Sequence, residues 1–211
     1  MVKLDIMSDP ICPWCYIGKT YLDRALAQMP DHPFTIEWHP FQLNPDMPAE
    51  GMDRRAYLES KFGGKQEAVQ AYLPVAEHGV KAGIDLNLDS ITRTPNTINA
   101  HRLIHWAGIE GRQSTAVSAL FRAYFSEGRD IGETEVLGDI ADGIGLDASI
   151  ILRLLGSKAD ILETRARDTA ARDMGITSVP TFIVAGQHAV PGAQPTDLWI
   201  KVLTELRATA E

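Results

Sequence analysis

The sequence predicts an α/β fold interrupted by a large all-helical insertion. Three observations carry that reading. Strand, helix and strand signals follow one another within residues 2–39. Residues 48 to about 174 then hold almost no strand signal. Strand signal returns only at 181–185, and a last helix follows it.

Each element has its own local cause. Residues 2–7, VKLDIM, alternate and include Val2, Leu4 and Ile6, which predicts a short strand. From Pro13 to about Met29, Tyr16, Ile17, Tyr21, Leu22, Ala25 and Leu26 recur at helical spacing, and Pro30 and Pro33 end the helix. FTIEWH, 34–39, is β-branched and aromatic, so it reads as a second strand. A strand–helix–strand unit makes its two strands parallel with a right-handed crossover. Helices are then expected over 53–62, 65–82, 96–108, 112–127, 133–144, 147–155 and 158–174, punctuated by glycines such as Gly83, Gly111 and Gly128. TFIVA, 181–185, predicts a strand, Gly186-Gln187 a tight turn, and Ala189-Val190 a short partner strand. Pro195 to Leu206 predicts a final amphipathic helix. Residues 1–47 and 175–211 are thus expected to form one discontinuous domain, with 48–174 as the inserted one.

Bulk properties narrow the function. The 211 residues are 45% hydrophobic and 23% charged, enough for a core and too mixed for wholesale disorder. A net charge of -8 argues against unspecific nucleic-acid binding, which runs on surplus Lys and Arg. The start, MVKLDIMSDP, has too short an apolar run for a secretory signal, and no stretch is long enough for a membrane span. A cytoplasmic protein with no membrane or nucleic-acid partner is therefore expected. Its two cysteines cannot staple a secreted scaffold.

Both cysteines lie in SDPICPWCYIG, residues 8–18, at a strand-to-helix junction. With Cys12 at the N-cap, Pro13 falls at the first helical position, where a missing N–H costs nothing. The Cys12 sulfur should then face the free N–H groups of Trp14 and Cys15, which favour a thiolate. Cys12 should be exposed and nucleophilic. Cys15, one turn in, should be shielded and resolve a mixed disulfide. Trp14 offers an apolar platform beside them. The competing readings are a structural zinc site and two inert core thiols. Zinc takes four ligands, and this chain has one C-x-x-C pair and 6 scattered histidines.

The second signal is TSVPTFIV, 177–184. A proline before an apolar strand belongs at its start, because it cannot donate to a ladder. The ordinary reading is a trans-Pro loop end. The functional reading is a cis Val179–Pro180 bond pressed against the CPWC tip, with the Val179 backbone free to meet a substrate.

With CPWC after strand one and VP before a later strand, the chain resembles the thioredoxin-fold oxidoreductases. The long helical insertion narrows the resemblance to the DsbA-like superfamily. DPICPWCYIGK, WHPFQLNP (38–45), NTINAHRLIHWA (96–107), LFRAYFSEGRDIG (120–132), GITSVPTFIV (175–184) and GAQP (192–195) are similar to its cytoplasmic FrnE-like branch, nearly end to end. That resemblance implies dithiol–disulfide exchange with nucleophilic Cys12, resolving Cys15, cis-Pro180, and Pro13, Trp14 and Val179 at the substrate. Protein thiols or low-molecular-weight thiols are the implied partners. No cofactor is implied, with glutathione a candidate co-substrate. Periplasmic DsbA carries histidine where this chain has Trp14, which puts very strong oxidising power in doubt. The same superfamily holds 2-hydroxychromene-2-carboxylate isomerases and kappa-class glutathione transferases, which usually carry serine in place of Cys12. A glutathione-dependent isomerase and a non-catalytic redox sensor therefore stand as alternatives.

Other residues offer chemistry of their own. His101 and His105 are one turn apart and share a helix face, but no third metal ligand is placed near them. Asn96 suits a helix N-cap, and Asn99 could line a cleft. Glu37 and His39 share a strand face and, if buried, could serve Cys15 as proton carriers. ETRARDTAARD, 163–173, reads as a solvated helix face with i, i+4 charge pairs.

Overall fold

The structure is a computed structural model in which residues 1–208 are described. Strand β1 (Val2–Ser8), helix α1 (Pro13–Gln28) and strand β2 (Phe34–Pro40) form the expected unit, with β1 and β2 parallel from Val2↔Phe34 to Ser8↔Pro40. β5 (Thr181–Val184) runs antiparallel to β1, and β6 (His188–Pro191) antiparallel to β5. The sheet order is β2-β1-β5-β6. The β5–β6 turn holds Ala185 and Gly186 at φ of 55° and 68°, and Gln187 N–H donates to the Val184 carbonyl at 3.1 Å. Positive φ at both central residues makes 184–187 a type I′ turn, set in a three-residue loop because Val184 pairs with His188. It ends the strand one residue before the expected Ala185. The last helix, α9 (Thr196–Ala208), starts just after Pro195.

Between β2 and β5 lie α2 (Arg54–Phe62), α3 (Lys65–Lys81), α4 (Ile98–Ile109), α5 (Gln113–Phe121), α6 (Thr134–Gly143), α7 (Ala148–Leu155) and α8 (Ile161–Asp173). The expected helix over 112–127 changes pitch: a π-helical turn, Arg122–Ser126, follows α5. Its wider turn carries Tyr124 and Phe125 inward, both fully buried. Sequence periodicity also missed a two-residue ladder, β3 (Met52–Asp53) on β4 (Arg93–Thr94), too short to show alternation.

Strand alternation splits the sheet into two faces. Leu4, Ile6, Trp38, Phe182 and Val184 join Leu22, Ala25, Trp199 and Leu203 of α1 and α9 in the main core. Phe121, Phe125 and Leu103 of the helical region belong to that core too, and Tyr16 stacks on Phe121 with ring centroids 5.1 Å apart. The opposite face holds Met7 with Phe41 and Ala171, beside a group of charges on β1, β2 and α8.

Helix side chains also bond directly to the backbone of β2 and the loop after it. Gln113 Oε1 accepts the Trp38 N–H at 2.9 Å, and Gln113 Nε2 donates to the Trp38 carbonyl at 3.1 Å. Asp168 accepts the Gln42 N–H at 2.6 Å. So the 163–173 segment is not merely a solvated face. It makes one i, i+4 pair of the kind expected, Asp168–Arg172, but Thr164, Asp168 and Ala171 are buried.

Candidate active site

β1 ends at Ser8, and a turn delivers Cys12 to the helix tip, with Cys12 N–H donating to the Asp9 carbonyl at 2.9 Å. Cys12 is the N-cap, with extended φ −90° and ψ 113°, and Pro13 opens α1. Its carbonyl accepts from Cys15 N–H at 3.1 Å and Tyr16 N–H at 3.3 Å. Both cysteines are free thiols.

Two expectations for Cys12 need correction. It is 4% exposed rather than open to solvent, because the helical region roofs it. Its sulfur makes no capping bond to the helix N–H groups. The thiol instead donates to the Val179 carbonyl at 3.6 Å, since its side chain turns toward the 177–180 loop. The Val179–Pro180 bond is cis. Pro180 is seated against α1 at Gly18, where an added Cβ would lie 3.1 Å from Pro180 Cγ and 3.3 Å from Ala193 Cα. Trp14 is half-buried, with its ring edge-on to His78 at 5.2 Å.

Cys15 is 1% exposed, shielded as its place one turn into the helix predicts. Burial pushes its pKa well above the ordinary thiol value, and the neighbouring Cys12 pushes it further. The Ser8 hydroxyl and the Asp9 backbone oppose that shift. Asp9 itself is fully buried, accepting from Leu43 N–H at 2.6 Å and lying 3.7 Å from His101 Nε2.

A cleft of about 300 Å³ opens beside Cys12. Pro13, Trp14 and Val179 line one side; Arg54, Lys61, Tyr72 and Tyr124 line the other. Arg54 is 6% exposed and donates to the hydroxyls of Tyr124 and Tyr72, each at 3.2 Å. Burial pushes both phenols above their ordinary pKa, with Arg54 opposing, so both remain neutral. Sequence reasoning missed Arg54, Tyr72, Tyr124 and Gly18. One signal was available: Arg54 sits in the first turn of α2, the helix end that disfavours a cation.

The remaining candidates separate. His101 faces Asp9, whereas His105 meets Arg167 at 3.4 Å and groups with Asp160 and Glu163, their ligand atoms within 4.8 Å of one another. The two histidines thus do not converge. Asn96 accepts the Ile98 N–H at 3.0 Å at the start of α4, and Asn99 accepts from Arg102 at 2.7 Å. Glu37 and His39 lie on the sheet face opposite Cys15, bonded to Arg167 at 2.8 and 3.1 Å, whereas the groups that act on Cys15 are Cys12, Ser8 and Asp9. Asp5 joins them, with Lys3 Nζ at 2.8 Å from Asp5 and 3.0 Å from Glu37.

A thioredoxin-type sheet, a helical insertion between its parallel and antiparallel halves, and a dithiol at the first helix tip define a DsbA-like thioredoxin fold. Residues 3–203 match the DSBA-like thioredoxin domain family, and the chain belongs to it. An uncharacterised Bacillus subtilis (strain 168) protein, YwbO, is 29% identical over 205 residues, covering 97% of this chain and 96% of its own length. The crystal structure of a probable DsbA oxidoreductase from Streptomyces coelicolor superposes with a TM-score of 0.85 at 29% identity, covering 99% of this chain and 91% of that one. A 2-hydroxychromene-2-carboxylate isomerase structure shares the fold with a TM-score of 0.72 at 19% identity, covering 99% and 96%. No helix among the described residues is long and apolar enough to cross a membrane.

Proposed function

We propose that the protein is a dithiol–disulfide oxidoreductase in which Cys12 attacks and Cys15 resolves. The observation that carries this is the pair of free thiols at the α1 tip, Cys12 against the Val179 carbonyl and Cys15 shielded behind it. Cys12 thiolate attacks one sulfur of a substrate disulfide. A mixed disulfide forms and the first substrate thiolate leaves. Cys15 then attacks the Cys12 sulfur and releases the second thiolate. The two cysteines are oxidised to a disulfide and the substrate is reduced to two thiols; the reverse sequence oxidises a substrate dithiol.

The environment of Cys15 suits this order. Cys12 helps hold the Cys15 pKa up. Once Cys12 is tied into a mixed disulfide it carries no charge, and that opposition to Cys15 ionisation disappears. Val179 and Pro180 are read as the backbone edge that meets the substrate, and Pro13 and Trp14 as its apolar wall. The cytoplasmic setting rests on the resemblance to the FrnE-like branch.

An equilibrium redox titration in glutathione buffers, read by thiol trapping, tests the reading. A reversible two-electron transition of Cys12–Cys15 is the expected result. If no disulfide forms between them, exchange chemistry fails. The enclosed cleft beside Cys12 and the shared fold with the isomerase then favour glutathione-dependent isomerisation. Cys15→Ser separates the two: exchange stalls at the mixed disulfide, while isomerisation survives.

A further inference from the structure

Arg54 has the wrong neighbours for a structural charge. Buried cations are normally paired with carboxylates. Among the described residues Arg54 makes no ion pair. Its partners are two neutral hydroxyls, and its guanidinium lies over the Tyr72 and Tyr124 rings at 5.4 and 5.9 Å. Two phenols use part of a five-donor fork. The exposed Lys61, which also lines this cleft, donates to the Tyr57 hydroxyl at 2.7 Å and lies over the Tyr57 ring, and among the described residues it makes no ion pair. Neither an Asp nor a Glu is among the described residues lining this cleft, although the chain has 28 of them and a net charge of -8. An acid-free, cationic recess on an acidic protein attracts anions and repels cations.

The recess also limits size. Cys12 lies at its wall, 4% exposed, and the space is about 300 Å³. That is the low end of the volume range for a small-molecule site.

We propose that this cleft selects low-molecular-weight disulfides and thiols bearing a carboxylate, with Arg54 binding the carboxylate while Cys12 meets the sulfur. This rests on the exchange reading above and names its substrate class. Arg54 can give two parallel N–H bonds to one carboxylate, and Lys61 adds a point charge. The chemistry is balanced as before: one R–S–S–R is reduced to two R–SH while Cys12 and Cys15 are oxidised to one disulfide.

Three disulfides of similar length test it: dithiodipropionate, hydroxyethyl disulfide and cystamine, carrying negative, no and positive charge. Oxidation of the reduced protein is followed by thiol trapping. Each rate constant is divided by that of a free small thiolate with the same disulfide, which removes leaving-group differences. The expected normalised order is dithiodipropionate, then hydroxyethyl disulfide, then cystamine. The first should exceed the last roughly 10- to 100-fold at low salt, and the gap should narrow as salt rises. Arg54→Gln should collapse the order and Arg54→Lys should keep part of it. Lys61→Gln, at an exposed position, should weaken it modestly and covers the case in which Arg54→Gln fails to fold. A flat or inverted order in the wild type overturns the inference while leaving exchange intact. An Arg54→Gln loss that is equal for all three disulfides also overturns it, since that is what a purely structural arginine would give. If none of the three oxidises the protein, the exchange reading itself has failed.

Discussion

Two arginines in this molecule are held in opposite ways. Arg167, on the outer face of the sheet, donates to Glu37 at 2.8 Å and His39 at 3.1 Å, within a group completed by Lys3 and Asp5. Arg54, lining the cleft beside Cys12, meets two phenols. The first set of charges closes on itself and serves the fold. The second is left open beside a thiol. Partnering, rather than charge or burial alone, separates a charge spent on architecture from one kept for a ligand.

The comparison can be broken by asking each region for the other's property. The largest effect belongs to the cleft: Cys12→Ser should drop exchange to background while shifting unfolding free energy by less than about 1 kcal/mol, checked by thiol trapping and urea unfolding. Cys15→Ser should accumulate a mixed disulfide, visible by mass. In the wild type, resolution by Cys15 should accelerate as pH rises above neutrality, because burial, which the mixed disulfide keeps, holds its pKa up. A plateau near neutrality would contradict that environment.

On the architectural side the signs reverse. Asp168→Ala should cost about 3 kcal/mol, since it strands the buried Gln42 N–H and frees Arg172, yet leave exchange rates unchanged. Arg167→Ala, partly exposed, should cost about 1–2 kcal/mol. A loss of exchange with unaltered stability in Arg167→Ala would erase the distinction between the two regions.

The smallest effect is electrostatic. Burial pushes Asp5 and Glu37 up, but Lys3 and His39, joined by Arg167 at Glu37, outweigh it, so both carboxyls sit below their ordinary values of 3.8 and 4.5. A depressed folded pKa stabilises above the unfolded value and is lost as pH falls through the folded one. This contribution should thus be complete above about pH 5 and fade below about pH 4. Lys3→Ala should flatten that acid slope by less than about 1 kcal/mol, measured as unfolding free energy between pH 5 and 3.

Local signals made most of the fold legible. Proline and glycine punctuation bounded α1 and the inserted helices closely, and TFIV announced β5. The N-cap place of Cys12 followed from Pro13, and the VP motif pointed to a bond that is cis in the structure. What stayed hidden depends on contacts far apart in sequence. Arg54, Tyr72 and Tyr124 come to share a cleft with Cys12 only through the packing of α2, α3 and the π-helical turn. Alternation put Glu37 and His39 on one face of β2 but could not say which face looks toward Cys15. Mixed charge along α8 resembled a solvated surface, because periodicity registers apolar burial and not docking through Asp168.

The Gln113 amide bears on a different property of the molecule. β2 is one of the sheet's two outer strands, and the Trp38 N–H and carbonyl bond to Gln113 rather than to β1. An unsatisfied outer strand is a template on which a second chain can add itself, the first step toward fibrils. Gln113 fills that slot with one side chain that copies both bonds of a neighbouring strand. The inserted helices therefore act as a guard against polymerisation as well as a roof. Gln113→Ala should raise the rate of thioflavin-positive assembly on mild heating, even where the folded chain keeps its activity.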